Sequence, residues 1–225
     1  MVTLEIIRER VIQGHINAQS KYPPELEGEP GVEELVRQAL EAKLEVSDIL
    51  RKALIAGMDI VGDKFSAGEY FVPEMMFSAK AMKAGLEILR PHMVEADNVS
   101  LGKVILGTVQ GDMHDIGKNL VGMMLEGAGF EVIDLGINTS PDKFVAAAQQ
   151  NPKALVGMSA LLTITMEKMR DVVETFRSQG LSNKVFIGGA PVTKKFADEI
   201  GADGYAPDAS QAVHEAKTLL GVTAR

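Results

Sequence analysis

The sequence predicts an α/β protein built from a helical bundle followed by a parallel sheet. Residues 1–93 carry apolar residues only at helical spacing, which is typical of amphipathic helices. Residues 101–225 alternate short strand-like apolar runs with amphipathic segments, the pattern of a parallel α/β sheet. Residues 94–100 between them are polar, and we interpret them as a hinge between the two domains.

Four helices are predicted in the first domain. Each carries an apolar stripe with three- or four-residue spacing. The stripes are Leu4, Ile7 and Val11; Leu35, Val36, Ala39, Leu40 and Leu44; Ile49, Leu50, Ala53, Leu54, Met58, Val61 and Phe65; and Met75, Met76, Ala79, Met82 and Leu86. Pro73 suits the first turn of the fourth helix, where its missing N–H costs no hydrogen bond. Segment 21–31 is rich in proline, glycine and glutamate, so we expect an exposed acidic loop. These features indicate a four-helix bundle.

Five strands are predicted in the second domain, each followed by a helix. The strands are Lys103–Thr108, Glu131–Leu135, Ala154–Ser159, Lys184–Gly188 and Gly204–Ala206. The helices are Ile116–Ala128, Pro141–Gln150, Thr165–Ser178, Thr193–Ile200 and Ala209–Leu219. Short connections of this kind predict a Rossmann-like (flavodoxin-like) sheet, for which we expect strand order 2-1-3-4-5. Ligands of such sheets bind where the order reverses, which is beside the loops after the first and third strands.

The composition excludes several functional classes. A net charge of −8 and a pI near 5.1 argue against nucleic acid or an anionic membrane as partner. The absence of cysteine excludes disulfides, iron–sulfur clusters, thiolate zinc sites and cysteine nucleophiles. No apolar run approaches the roughly 18 residues of a membrane span, and the N-terminus lacks a signal core. We therefore expect a cytoplasmic protein.

A histidine and an aspartate stand in the loop after the first predicted strand. The His114 imidazole can bind a metal through one nitrogen while the other bonds the Asp112 carboxylate. Ser159, from the facing loop, is expected to hydrogen-bond Asp112. The alternative is a histidine that caps a helix. Zinc needs three or four protein ligands, and the other three histidines lie far away in the sequence. One histidine suffices only where a macrocycle supplies the equatorial ligands.

Three motifs at the ends of predicted strands resemble the cobalamin-binding pattern of the base-off/His-on class. They are D-x-H-x-x-G at 112–117, S-x-L at 159–161, and the glycine pair 188–189. The first two are separated by 41 residues and the last two by 26, and both gaps fall where that family's do. The helical half, with F-x-x-G-E-x-F-x-P-E at 65–74, resembles the cap of methyltransferase corrinoid proteins and of methionine synthase.

The resemblance implies cobalamin as cofactor, as methylcobalamin or cob(I)alamin, or a related corrinoid. His114 would be the lower cobalt ligand, in a relay with Asp112 and Ser159. The displaced nucleotide tail would lie in a cleft beside small residues, and the cap would cover the methyl-bearing face, although its candidate residues equally suit the bundle core. The implied cofactor-binding residues are Gly111, Asp112, Met113, His114, Asp115, Ile116, Gly117, Ser159, Leu161, Thr163, Gly188, Gly189, Ala190, Tyr205 and Ala209, with Met75, Met76 and Ala79 in the cap.

The resemblance further implies a methyl carrier that is not itself an enzyme. Its partners would be a substrate-specific methyltransferase, a second methyltransferase with tetrahydrofolate or a thiol as acceptor, and a reductive activase. The partner would recognise the methyl donor. Two other corrinoid functions remain as alternatives, the B12-binding subunit of a radical mutase and a B12-dependent sensor. The mutase needs a separate barrel subunit, and the sensor ordinarily adds a basic DNA-binding helix-turn-helix. A non-corrinoid flavodoxin-like module leaves the cap and His114 unexplained.

Overall fold

The computed structural model describes residues 2–92 and 101–221, which form two compact units. One unit holds the helices before residue 93 together with Glu126–Gly129, and the other holds 101–125 and 130–221. The expected hinge, residues 94–100, lies outside the described residues, so the domain limits placed there stay predictions.

Four helical stretches form the first unit, as predicted. They are α1, Leu4–Ile12; α2, Val32–Glu41; a third stretch of α3, Val46–Asp48, a π-helical segment, Ile49–Ile55, and α4, Ala56–Ser66; and α5, Val72–Leu89, followed by a 3-10 turn, Arg90–His92. Local signals set the helix starts. Thr3 Oγ1 accepts the Ile6 amide at 3.3 Å, and Glu74 Oε2 accepts the Phe71 amide at 2.9 Å beside Pro73 in the first turn of α5.

The segment between α1 and α2 is a folded loop that contains a 3-10 turn, Pro24–Leu26. His15 is fully buried beneath it, with Nδ1 3.1 Å from the Tyr22 carbonyl oxygen and Nε2 2.8 Å from that of Glu29. The Tyr22 ring also stacks on Phe77, with ring centroids 3.9 Å apart. Residues 21–30 are all exposed or half-buried, as expected for an exposed loop, while the contacts of His15 and Tyr22 hold its base in place.

The second unit contains a parallel sheet in the predicted order, β2-β1-β3-β4-β5. Its strands are β1, Lys103–Thr108; β2, Glu131–Asp134; β3, Leu155–Ser159; β4, Val185–Gly188; and β5, Gly204–Ala206. Its helices are α6, Ile116–Gly127, of which the last two residues belong to the first unit; α7, Pro141–Gln150; α8, Thr163–Met166; α9, Lys168–Ser178; α10, Lys194–Ile200; and α11, Ala209–Leu219. Most predicted bounds agree with these to within one residue. The larger difference is that the expected helix Thr165–Ser178 begins two residues earlier and is divided into α8 and α9 at Glu167.

The strand register aligns the ends of four strands in one row. Thr108 pairs with Ser159, Ser159 with Gly188, and Gly188 with Ala206. Below this row the strands are apolar and buried, with fully buried Ile105, Val156 and Ile187 among the residues of the core. The loops that follow β1, β3 and β4 therefore leave the sheet side by side at its carboxyl edge. Within residues 2–92 and 101–221, no helix is long and apolar enough to cross a membrane.

Candidate functional site

His114 lies in the loop between β1 and α6 with 49% of its side chain exposed. Its Nδ1 is 2.7 Å from Asp112 Oδ1, which also accepts the His114 amide at 3.1 Å. Because an ionised carboxylate only accepts, the ring hydrogen of neutral His114 lies on Nδ1 and Nε2 keeps its lone pair. No residue in the described ranges forms a hydrogen bond with Nε2. The loop thus presents one uncommitted nitrogen donor.

Asp112 is fully buried, and its other carboxylate oxygen is held by the loop after β3. Oδ2 accepts the Thr165 hydroxyl at 2.6 Å and the amides of Leu161 and Leu162 at 2.8 and 3.4 Å. Burial by itself would raise the pKa of Asp112. The hydrogen bonds from Thr165, Leu161 and His114 outweigh it and hold the pKa well below its usual range. Asp112 is therefore ionised at neutral pH, and its negative charge lies beside the imidazole.

The expected bond between Ser159 and Asp112 is not the one that the structure forms. Ser159 Oγ lies 3.2 Å from Oγ1 of Thr108, the residue with which it pairs in the sheet. The hydroxyl that donates to the Asp112 carboxylate is that of Thr165. Ser159 ends β3, whereas Asp112 lies beyond the end of β1, where the first turns of α8 reach it. Thr165 is the first residue of the helix predicted after the third strand, and this position was the sequence signal that could have indicated its contact with Asp112.

Exposed apolar side chains cluster beside His114, on the two loops and in the first turns of the helices that follow them. Eight large apolar side chains are exposed within residues 2–92 and 101–221, and five of them lie there: Met113, Ile116, Leu161, Leu162 and Ile164. Ile116 and Ile164 are each 78% exposed. Concentrated exposed apolar surface is typical of a binding site. Leu162 and Ile164 were not among the residues expected from the sequence.

Gly111, just before the first motif, and Gly117, its last residue, have different surroundings. Gly111 adopts a φ of +85°, and its amide donates to Asn138 Oδ1 at 2.8 Å, so it serves the turn before His114. Gly117, in the first turn of α6, has nothing within 4 Å of an added Cβ. Its own surroundings do not require glycine, and the open space suits a ligand that approaches the helix closely. Asp115, beside His114, accepts the Asn119 amide group at 3.1 Å.

The glycine pair after β4 is required by neighbouring backbone. A Cβ on Gly188 would lie 2.6 Å from the Ala206 carbonyl oxygen, and one on Gly189 would lie 1.9 Å from that of Ala160. The close approach of strand ends therefore explains both glycines, and room for a nucleotide tail stays a prediction. The other candidates here are placed at the same edge: Ala190 and Thr163 are exposed, Tyr205 is half-buried against the sheet core, and Ala209 is buried.

The cap residues expected to contact a cofactor are mostly buried. Met75 is 0% and Ala79 6% exposed, and Met76 is half-buried. A side chain without accessible surface has none to offer a ligand, so the bundle-core interpretation is right for Met75 and Ala79. The exposed apolar residues of this helix and its N-cap are Phe71, 66% exposed, and Val72, 37% exposed.

The donor set around His114 matches a metal held mainly by a macrocycle. The described residues contain no group of three or more histidine, cysteine, aspartate or glutamate side chains that could hold a metal ion. One imidazole nitrogen, backed by a buried carboxylate and bordered by exposed apolar side chains, suits an axial bond to a metal in an apolar ring. The residues present therefore fit a corrinoid.

Comparisons with known proteins agree with this arrangement. Two family models described as "B12 binding domain" match residues 102–214 and 28–90. The chain is 47% identical over 181 residues to dimethylamine corrinoid protein 1 of Methanosarcina acetivorans, covering 79% of this chain and 85% of that one. It also resembles the solved structure of a cobalamin-binding protein from Desulfitobacterium hafniense, with a TM-score of 0.77, 28% identity and full coverage of both chains. A chain of the methanol:cobalamin methyltransferase complex of Methanosarcina barkeri gives a TM-score of 0.80 at 27% identity, over 98% of this chain and 80% of that one.

Proposed function

Because the chain belongs to the B12-binding family of corrinoid proteins, we propose that it carries a methyl group on cobalt between two methyltransferases. His114 is the lower cobalt ligand in this proposal, and the cofactor is bound base-off/His-on. The observation that carries the proposal is the His114 imidazole itself, whose Nδ1 is bonded to buried Asp112 while Nε2 has no partner among the described residues.

Different residues of the chain would orient the cobalt ligand and cover the corrin ring. Asp112 fixes the tautomer and orientation of His114, and its charge makes Nε2 a stronger donor. The exposed apolar side chains beside His114 lose their contact with water when a corrin ring covers them, which favours binding. The corrinoid, when bound, supplies the cobalt that accepts and releases the methyl group. Protein residues bind, orient and shield it.

A methylated amine is the methyl donor that we propose for the partner enzyme. The support is the 47% identity to a protein named for dimethylamine, and, within the structural comparison, 36% identity to the monomethylamine corrinoid protein of Methanosarcina barkeri against 27% to a chain of the methanol complex. A second methyltransferase, with tetrahydrofolate or a thiol as acceptor, and a reductive activase complete the proposed set of partners. Purified protein loaded with cob(I)alamin should accept a methyl group when mixed with a dimethylamine-specific methyltransferase and dimethylamine. Methylation from methanol alone would overturn the choice of donor.

Corrinoid binding is tested by incubating the purified protein with hydroxocobalamin, removing free cofactor and recording the ultraviolet–visible spectrum. We expect the wild type to retain corrinoid with an altered spectrum, and His114→Ala to lose the spectral change and most of the affinity. The matched control is His214→Ala, which removes an exposed histidine from α11. It should bind as the wild type does. If His114→Ala has the wild-type spectrum and affinity, His114 is not the ligand.

A further inference from the structure

We propose that Asn138, in the loop between β2 and α7, is a positioning residue for His114, an inference that rests on the proposed function. Among the described residues, Asn138 forms no hydrogen bond with the His114 imidazole or with the Asp112 carboxylate. It clamps the backbone of the two residues Gly111 and Asp112, and through them it sets where the imidazole stands. None of the motifs recognised in the sequence contains Asn138.

The clamp consists of two hydrogen bonds to neighbouring residues. The side-chain Oδ1 of Asn138 accepts the backbone N–H of Gly111 at 2.8 Å, and the backbone N–H of Asn138 donates to the Asp112 carbonyl oxygen at 3.0 Å. Asn138 adopts a φ of +50°, in the left-handed region that asparagine enters more readily than other residues with a side chain. This conformation is compatible with both bonds at once, so residue type and backbone geometry agree.

The loop that carries Asn138 is itself tied down. The Thr139 amide donates to the Thr108 carbonyl at 2.9 Å, and the Thr108 amide donates to Gly136 at 3.0 Å, which attaches the loop to β1. Asp134, at the end of β2, accepts the Gly136 amide at 2.8 Å and the ammonium of buried Lys118 at 2.6 Å. Lys118 lies in the first turn of α6, the helix that begins two residues after His114. The loop that carries Asn138 is thus attached to β1, which precedes the histidine loop, and β2 just before it is attached to α6, which follows the histidine loop.

Asp112 is therefore held from two directions. The loop after β3 grips its carboxylate through Thr165, and Asn138 grips its backbone from the loop after β2. Loss of the Asn138 side chain frees the exposed Gly111 amide, which water can then solvate. Without the clamp the loop also occupies positions in which His114 does not reach cobalt, and the net worth of one hydrogen bond sets the resulting shift against the histidine-bound state at roughly fivefold.

Electron paramagnetic resonance of bound cob(II)alamin measures this shift. Protein labelled with ¹⁵N-histidine splits the axial lines in two when histidine is bound, whereas the cofactor's own base gives three lines. We expect Asn138→Gly, which tolerates the left-handed backbone, to raise the pH at which acid abolishes the doublet by about 0.7 unit, the equivalent of fivefold. The control Ser140→Ala removes a side-chain bond to the Lys143 amide in the same loop and should leave that pH unchanged.

Each outcome decides the inference. A shift in Asn138→Gly without one in Ser140→Ala supports the clamp, and an unchanged midpoint in Asn138→Gly, or equal shifts in both, overturns it. If Asn138→Gly does not fold, Asn138→Ala takes its place with the same expectation. A wild-type protein that binds corrinoid but shows no doublet would instead refute the His-on proposal.

Discussion

Removing the Thr165 hydroxyl tests how the buried carboxylate is held. Thr165→Val keeps the shape of the side chain but removes the 2.6 Å donor to Asp112 Oδ2. Asp112 is 0% exposed and Thr165 6% exposed, so water does not readily replace the lost donor. Hydrogen bonds to charged groups contribute about 1.5–3 kcal/mol. We therefore expect the free energy of unfolding of the apoprotein to fall by about 2 kcal/mol and the pKa of Asp112 to rise toward its usual value.

Urea unfolding at pH 7, followed by circular dichroism, measures this loss. For a typical slope of about 2 kcal/mol per M, the midpoint should fall by about 1 M. Thr165→Ser keeps the hydroxyl and should recover most of the stability. Thr163→Val, at the exposed first residue of the same helix, is the matched control and should stay within about 0.5 kcal/mol of wild type. A Thr165→Val midpoint equal to that of Thr163→Val would refute the reasoning.

Three further predictions follow from burial and hydrogen bonding. Because the pKa of Asp112 is lowered in the folded state, its contribution to stability is full above its ordinary pKa of 3.8 and is lost as the pH falls. The destabilisation of Asp112→Asn in urea should therefore be full at pH 7 and shrink below about pH 4; a constant difference would contradict the lowered pKa. Met75→Ala should cost about 3 kcal/mol in thermal unfolding, whereas Phe71→Ala, at an exposed residue, should cost little. Equal losses would reverse the assignment of core and surface in the cap. Gly189→Ala should cost about 3 kcal/mol because of its backbone clash, whereas Gly117→Ala, in open space, should change stability by less than about 1 kcal/mol yet reduce corrinoid retention. A stable Gly189→Ala would contradict the close strand ends.

The architecture was predictable because each element carried a local signal. The strands around Ile105, Val156 and Ile187 are short buried apolar runs, and the helices between them are amphipathic, so a parallel sheet with the observed order was expected. The division of the helix at Glu167 was not predicted, because the apolar spacing on the two sides of Glu167 does not show where the helix is interrupted.

The site was predictable as far as motif spacing reached. Asp112 and His114 were expected to form a pair, and their side chains lie 2.7 Å apart. Ser159 was expected to donate its hydroxyl to Asp112, because the two residues were placed on facing loops without knowledge of the strand register. In the structure, the strand register pairs Ser159 with Thr108, and the Thr165 hydroxyl donates to the Asp112 carboxylate instead. Such contacts are long-range in sequence, and no spacing rule specifies them.

In the cap, apolar spacing did not predict which side chains are buried and which are exposed. Met75 and Phe71 are both apolar residues at the start of the same helix, and helical periodicity does not decide which one turns inward when a stripe is broad. The structure buries Met75 completely and exposes Phe71. Apolar character is therefore a weak guide to a cofactor contact, because the same side chains also suit a bundle core.

The bond between His114 and cobalt is the central claim, and a crystal structure of the protein with bound cobalamin measures it most directly. We predict that Nε2 of His114 lies about 2 Å from cobalt, as in other metal–imidazole bonds, with the dimethylbenzimidazole displaced from the metal. A complex in which dimethylbenzimidazole still occupies the lower position, with His114 away from the cobalt, would contradict the account.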